Sequence, residues 1–194
     1  MADMAPADRV DLAAASRESL AMTFPYPLPP LDLAAPFDRH RSVVRPEWTD
    51  ANGHMNLAYY MLAFDHASDD FSVQLGVGWD YVEHKLGMAF ILEAHITYDR
   101  EVRAGDPLRI TTQILDHDEK RVHFFHRMYH GEAGWLASTN ELIMMHIDLE
   151  SRRASPWPEE SLRRLDAMAE AHRPLPRPEQ AGRVIGIRRK GQGS

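Results

Sequence analysis

The chain has 194 residues, 44% hydrophobic and 26% charged, a formal charge of −7 and no cysteine. That length supports one domain with a proper core. It excludes disulfides, thiolate metal sites and a cysteine nucleophile, and the acidic balance argues against nucleic-acid binding. No apolar run approaches the roughly 18 residues that span a bilayer. Asp3, Asp8 and Asp11 stand where a signal peptide needs basic and then apolar residues, so a cytoplasmic protein is expected.

Residues 1–38 read as a peripheral, Pro-rich arm, with Phe24-Pro25-Tyr26-Pro27-Leu28-Pro29-Pro30 favouring extended chain. Such an arm is either a loose tail or a strap on a neighbour. A short strand is expected over Arg41 to Pro46. Leu57, Tyr60, Met61, Phe64, Ala67, Phe71 and Leu75 then recur at helical spacing, giving one helix of about five turns. Gly76 and Gly78 are its stop signals, and a break with Trp79 and Tyr81 follows. Four strand candidates come next: Phe90 to Val102, Leu108 to Leu115, Arg121 to His130 and Trp135 to Asp148. Turns at Ala104–Pro107, Asp116–Lys120 and Gly131–Gly134 connect them as an antiparallel meander. A closing helix is expected from Pro158 to His172 with Ser155 near its cap, then a solvated basic tail over Arg183 to Lys190. The fold class is α+β, with a sheet wrapped around one long helix. The divisions are 1–38, 39–150 and 151–194.

The chemistry concentrates in Asp50-Ala51-Asn52-Gly53-His54-Met55-Asn56. A carboxylate, an amide and an imidazole alternate just before a helix start, where unpaired N–H groups and the positive end of a dipole lie. A base beside oxyanion-stabilising donors is what acyl transfer to water requires. Asn56 is a plausible N-cap. Ordinary turn chemistry explains the same letters, since Asp-x-Asn-Gly is also a common turn. Eleven histidines invite a metal reading, but of His123, His126 and His130 on one expected strand only His126 and His130 share a face, and neither local spacing nor an H-E-x-x-H pattern makes a recognisable zinc site. No metal and no cofactor are expected. The lack of G-x-S-x-G disfavours a serine hydrolase.

With these residues in view, the chain resembles the hotdog-fold thioesterases over about residues 40–150. Asp50, Asn52, His54 and Asn56 match the Asp-x-Asn-x-His-x-Asn pattern of plant-type acyl-carrier-protein thioesterases. Asp50 and Gly53 match the Asp and Gly of the 4-hydroxybenzoyl-coenzyme A (CoA) thioesterases. Ala104-Gly105-Asp106-Pro107-Leu108 resembles a strand-turn signature of the family. The run Glu47 to Asn56, Thr112-Gln113, Asp118 to Arg121 and His172 to Gly182 is similar to thioesterases of carnitine breakdown, which hydrolyse betainyl-CoA.

The resemblance implies a curved antiparallel sheet around a central helix, and subunits paired through their sheets in a homodimer or larger homo-oligomer. It implies Asp50 as base or nucleophile, the backbone N–H of Leu57 as oxyanion donor, and Asn52 and His54 as orienting groups. Glu93 is a further catalytic candidate, pointing across the dimer interface, and Asp65 a minor one. Substrate contacts are expected from Trp48, Gly53, Asn56, Tyr60 and Phe90, with aromatic faces suited to a trimethylammonium. Lys120 and Arg121 are the first candidates for CoA phosphates, ahead of Arg100 and Arg103. The implied activity is hydrolysis of a short-chain acyl-CoA, most specifically betainyl-CoA. The alternatives are another short or aromatic acyl-CoA, or a non-catalytic acyl-CoA-binding module.

Overall fold

The structure, a computed structural model, describes residues 24–187. The chain forms β1 (Phe37–Val43), a 3₁₀ turn (Pro46–Trp48), α1 (Leu57–Leu75), α2 (Trp79–Glu83), β2 (Met88–Tyr98), β3 (Pro107–His117), β4 (Arg121–His130), β5 (Leu136–Asp148), β6 (Arg153–Ala154) and α3 (Glu159–His172). All strand pairs are antiparallel, in the order β1-β3-β4-β5-β2, with β6 on β5. This is the hotdog arrangement, with β2 at one sheet edge and β1 at the other.

Helix α1 obeys its sequence signals. Asn56 caps it through Ala58 N–H at 3.0 Å, and Gly76 ends it in the left-handed conformation at φ 78°. Gly76 is also required sterically, because a Cβ there would stand 3.0 Å from the Leu28 side chain. Ala63, Phe64, Ala67, Phe71 and Leu75 are at most 1% exposed, so the helix is buried along its length. Its first half packs with Val44, Trp48, Met55, Leu108, Ile110 and Met128, and its second half with Phe37, Tyr81, Phe124, Leu142 and Met144. Burial of this apolar surface is the main force holding helix and sheet together.

Several boundaries differ from the sequence expectation. The first strand is Phe37–Val43, not Arg41 to Pro46, because Pro46 opens a 3₁₀ turn. Strand β2 starts at Met88 and stops at Tyr98, short of Val102. The break after α1 contains α2. The arm does not separate from the core near residue 38, since Phe24, Tyr26 and Leu31 pack on it and the Tyr26 hydroxyl donates to Gly76 O at 2.8 Å. The expectation for residues 1–23 lies outside the described residues. Helix α3 joins the same core through Leu165 and Met168. Ser155 does not cap it; its hydroxyl lies 3.0 Å from His146 Nδ1. The chain after α3 runs over the outer face of the sheet, where Pro176 O accepts from Gln113 and Gly182 N–H donates to Glu141. Residues 183–187 of the basic tail are exposed, and its continuation lies outside the described residues.

Three buried imidazoles fasten the elements. His126, fully buried, stacks on Phe64 and lies 3.0 Å from both Ser68 Oγ and Thr112 Oγ1. Ser68 spends its proton on Phe64 O, so His126 Nε2–H must donate to Ser68 and Nδ1 must accept from Thr112. Burial and the nearby His40 push the His126 pKa down to about 3. His172 Nδ1 accepts from Ile114 N–H and its Nε2–H donates to Ala34 O, covering the part of β3 that β1 does not reach. His146 joins the Tyr81 hydroxyl to Ser155. Burial lowers both of their pKa values.

These groups are neutral in the fold and take up protons near pH 6.5 once unfolded. Their contribution is therefore complete above about pH 6.5 and is lost as the pH falls toward the folded values. The unfolding free energy from denaturant curves should fall as the pH drops below about 6.5, with a slope of up to about 1.4 kcal/mol per pH unit for each histidine still neutral in the fold. His126→Gln should lower stability at pH 7.5 and flatten that slope by about one proton; an unchanged slope would contradict the assignment.

Candidate active site

The segment between the 3₁₀ turn and α1 folds as a tight loop. Asp50 N–H donates to His54 O at 3.0 Å, Gly53 N–H returns to Asp50 O at 3.0 Å, and Thr49 bridges Met55. Gly53 takes φ 77°, where a side chain would be strained. The Asp50 Oδ1 atom accepts from Asn52 N–H at 2.8 Å, an Asx turn that fixes the carboxylate. Two backbone bonds moor the loop, Met55 N–H to Val102 O at 2.8 Å and Asn56 N–H to Trp48 O at 2.9 Å.

This geometry leaves reactive capacity open. Asp50 is exposed, and its Oδ2 accepts no hydrogen bond among the described residues. In the first turn of α1, Ala58 N–H is taken by the Asn56 side chain and Tyr59 N–H by Asn56 O. Leu57 N–H has no partner among the described residues and sits at the positive end of the helix dipole. A fixed carboxylate with a free oxygen therefore lies seven residues before an unpaired amide donor, both on exposed residues. Exposed Leu57, Met61 and Tyr98 flank this end as an uncovered apolar strip.

The other expected residues divide by position. His54 Nε2 lies 3.2 Å from Glu101 Oε2, and no described hydrogen bond joins it to Asp50. Glu101 had no signal in the sequence, because the Met55–Val102 bond that brings it here is long-range. Asn52 keeps its side chain exposed beside Asp50. Asn56 is occupied as the cap, and Gly53 serves the turn. Tyr60 is core at 4% exposure. Trp48 is a correction as a cation receptor: it is 5% exposed, stacks on Tyr59 and carries the Arg45 guanidinium at 5.4 Å. A second cation on that ring would be repelled.

Glu93 stands away from Asp50 within the chain. It pairs with Ile143 on the outer sheet face, with His95, His123 and Glu141 around a small pocket, while Asp50 serves the α1 side. Phe90, opposite Met145, lies on the same outer face. The chain itself brings neither to Asp50. Lys120 and Arg121 sit at the β3–β4 tip, roughly 30 Å along β3 from the Asp50 end. There Arg121 pairs with Asp118, whose carboxyl it holds down at about 2, and Lys120 pairs with Glu119. Arg103 stays on the Asp50 side, as does Arg100, whose guanidinium lies over Trp135. Sequence reading missed a cavity of about 720 Å³ beside the loop, lined by Arg41, Arg45, Trp48 and His66. Arg41 and Arg45 come from one segment, but the wall is closed by Ala104 and Gly105 and by His66 of α1, which only the fold brings to it.

A family model described as the thioesterase-like superfamily matches residues 44–165. The chain belongs to that superfamily. It is a thioester hydrolase, and the open carboxylate and amide donor are the features such chemistry needs. It is 38% identical to a betainyl-CoA thioesterase of Pseudomonas aeruginosa over 148 residues, covering 76% of this chain and 93% of that protein. It is 35% identical to an L-carnitine dehydrogenase/betainyl-CoA thioesterase of Rhizobium meliloti, covering 82% of this chain but 32% of that longer protein. The solved structure of the hypothetical protein SAV2348 of Staphylococcus aureus, in complex with CoA, superposes with a TM-score of 0.73. That pair shares 33% identity over 80% of this chain and 99% of the other.

Loss of the cap should disorder the first turn that presents Leu57 N–H. Asn56→Ala should cost about 1 kcal/mol of stability and lower turnover more than substrate affinity. Thermal denaturation beside steady-state thioester kinetics checks both.

Proposed function

We propose that this hydrolase cleaves betainyl-CoA to glycine betaine and CoA, and so serves carnitine catabolism in the cytoplasm. The observation that carries the chemistry is the Asp50 carboxylate, pinned by one oxygen and free at the other among the described residues, in the loop that leads into the Leu57 N–H, which has no partner among them. The acyl group follows from the relative named betainyl-CoA thioesterase, 38% identical across nearly its whole length.

In the reaction, the thioester carbonyl oxygen accepts a hydrogen bond from Leu57 N–H. Asp50 Oδ2 takes a proton from water as that water adds to the carbonyl carbon. Negative charge gathers on the carbonyl oxygen, where the helix dipole and amide stabilise it. Collapse expels CoA thiolate, a good leaving group that needs no strong acid, and the proton held on Asp50 passes to the thiolate sulfur or to solvent, restoring the carboxylate. Asn52, beside Asp50, orients the water; His54, held by Glu101, shapes the loop.

A homodimer completes the site in this reading. Strand β2 is a free edge carrying exposed Phe90, Leu92 and Tyr98, which suits pairing with a second copy. The β3–β4 tip lies at the Met88 end of β2, because Met88 pairs with Ile147 and Arg121 with Met145. Antiparallel pairing of two β2 strands therefore carries Lys120 and Arg121 of one copy toward the Asp50 end of the other. There they would exchange Asp118 and Glu119 for CoA phosphates.

Asp50→Asn should reduce CoA release from betainyl-CoA at least about a thousandfold while binding persists; near-normal turnover would remove Asp50 from the chemistry. A mixture of Asp50→Asn with a Lys120→Glu/Arg121→Glu double variant tests the shared site. Random pairing should restore about a quarter of wild-type activity, since half the dimers regain one intact site. No recovery would place the CoA cations in the Asp50-bearing chain, with Arg41 and Arg45 the alternative.

A further inference from the structure

Leu57, Met61 and Asp65 follow one another at single-turn intervals along the exposed side of α1. Beneath Met61 lies Asn140, on the inner face of β5 between His126 of β4 and Ile96 of β2. Asn140 is 0% exposed. Among the described residues its Nδ2 reaches only Met61 Sδ at 4.0 Å, and its Oδ1 has no hydrogen-bond partner. The neighbouring polar side chain in the row, His126, is satisfied at both nitrogens. A buried amide with unused capacity costs about 1–3 kcal/mol. Leucine at this position would fill the same space without that cost, so the fold alone gives Asn140 no reason to be polar.

We propose that Asn140 forms the floor of the subsite for the acyl head group, and that this subsite selects a quaternary ammonium. The proposal rests on the betainyl reading above. With the carbonyl oxygen on Leu57 N–H, the nitrogen of a betainyl group lies two bonds beyond the carbonyl carbon. Its methyls then extend about 4 Å from that carbon, within the roughly 6 Å that four residues advance along a helix. The head group thus falls beside Met61. That unbranched thioether can swing aside and open the way to Asn140.

The chemistry of the lining suits such a cation. A trimethylammonium has no N–H to donate, so it gains from electron-rich surfaces rather than from paired donors. The Met61 sulfur provides one, and the Asn140 oxygen provides a second once the amide, whose Nδ2 faces Met61 Sδ at 4.0 Å, turns over about its last side-chain bond, which costs no hydrogen bond of Oδ1. Tyr98, half-exposed on β2 with its edge set against Tyr60 at 5.3 Å, offers an aromatic face. Asp65, one turn beyond Met61, adds a solvated countercharge. The amide oxygen attracts the cation without burying a second full charge, which would be far more costly. Sequence reading did not single out Asn140 or Tyr98, and it looked for the cation site at Trp48.

The test compares betainyl-CoA with 3,3-dimethylbutyryl-CoA, which has the same shape with carbon in place of the charged nitrogen. Wild-type kcat/KM should favour betainyl-CoA at least about tenfold. Asn140→Leu should cut that ratio at least about tenfold, and so should Asn140→Ser, which retains a small polar group if leucine disturbs packing. Tyr98→Leu should lower the ratio in the same direction, with the oligomeric state of the variant checked alongside. An unchanged ratio in these variants, or an equal loss on both thioesters, would overturn the subsite while leaving the betainyl assignment intact. Wild-type enzyme that hydrolyses the neutral thioester and refuses betainyl-CoA would overturn the substrate reading, and the subsite with it.

Discussion

The hydrogen bond from Met55 N–H to Val102 O, 2.8 Å long, ties the last residues before α1 to the segment leaving β2. Beside it, Asn56 N–H holds Trp48 O, and the Asn56 side chain closes the first turn of the helix. Together they fix where the helix begins. Everything after Leu57 is then committed to the sheet: Ala63, Phe64, Ala67 and Phe71 leave no freedom to slide, and His126 locks Ser68 against Thr112. The first amide of the helix has no partner among the described residues, and the moored loop that leads into it carries the Asp50 carboxylate. Rigid burial at one end thus provides preorganisation at the other, which is how electrostatic catalysis avoids reorganising at the moment of reaction.

The same packing explains why a single chain looks unfinished. The N-terminal half of α1 is covered by the sheet on its core side, yet Leu57, Met61 and Tyr98 remain open. Strand β2 is unpaired along its outer edge. An exposed edge and an adjoining apolar strip are liabilities for an isolated protein. The proposed pairing of two copies would remove both and enclose the space in front of Asp50, lowering its effective dielectric and strengthening the contacts that act there.

Much of this was legible in the chain. The long helix, its cap at Asn56 and stop at Gly76, and the strands of the meander follow from local periodicity and capping chemistry, which act over a few residues. The motif loop was legible for the same reason. Side-chain destinations were not, because they depend on register across the sheet. Glu93 lands on the outer face through its pairing with Ile143 after an irregularity beyond Ile91, and no nearby residue announces that. Trp48 looked like a substrate aromatic from its distance to Asp50, but Tyr59 and Arg45 claim its ring. Glu101 and Asn140 were invisible, since each matters only through a partner some forty or more residues away. Likewise, the Pro-rich segment read as peripheral from composition, while Tyr26 and Leu28 use those prolines to reach Gly76 in extended chain.

The central claim is that the thioester binds with its carbonyl at the start of α1 and its reactive carbon in front of Asp50. A crystal structure of the Asp50→Asn protein with betainyl-CoA tests it most directly. The account requires the carbonyl oxygen within hydrogen-bond distance of Leu57 N, with the side chain at position 50 facing the carbonyl carbon. A thioester bound against Asp65 on the side of α1, or on the outer face beside Glu93, would contradict it.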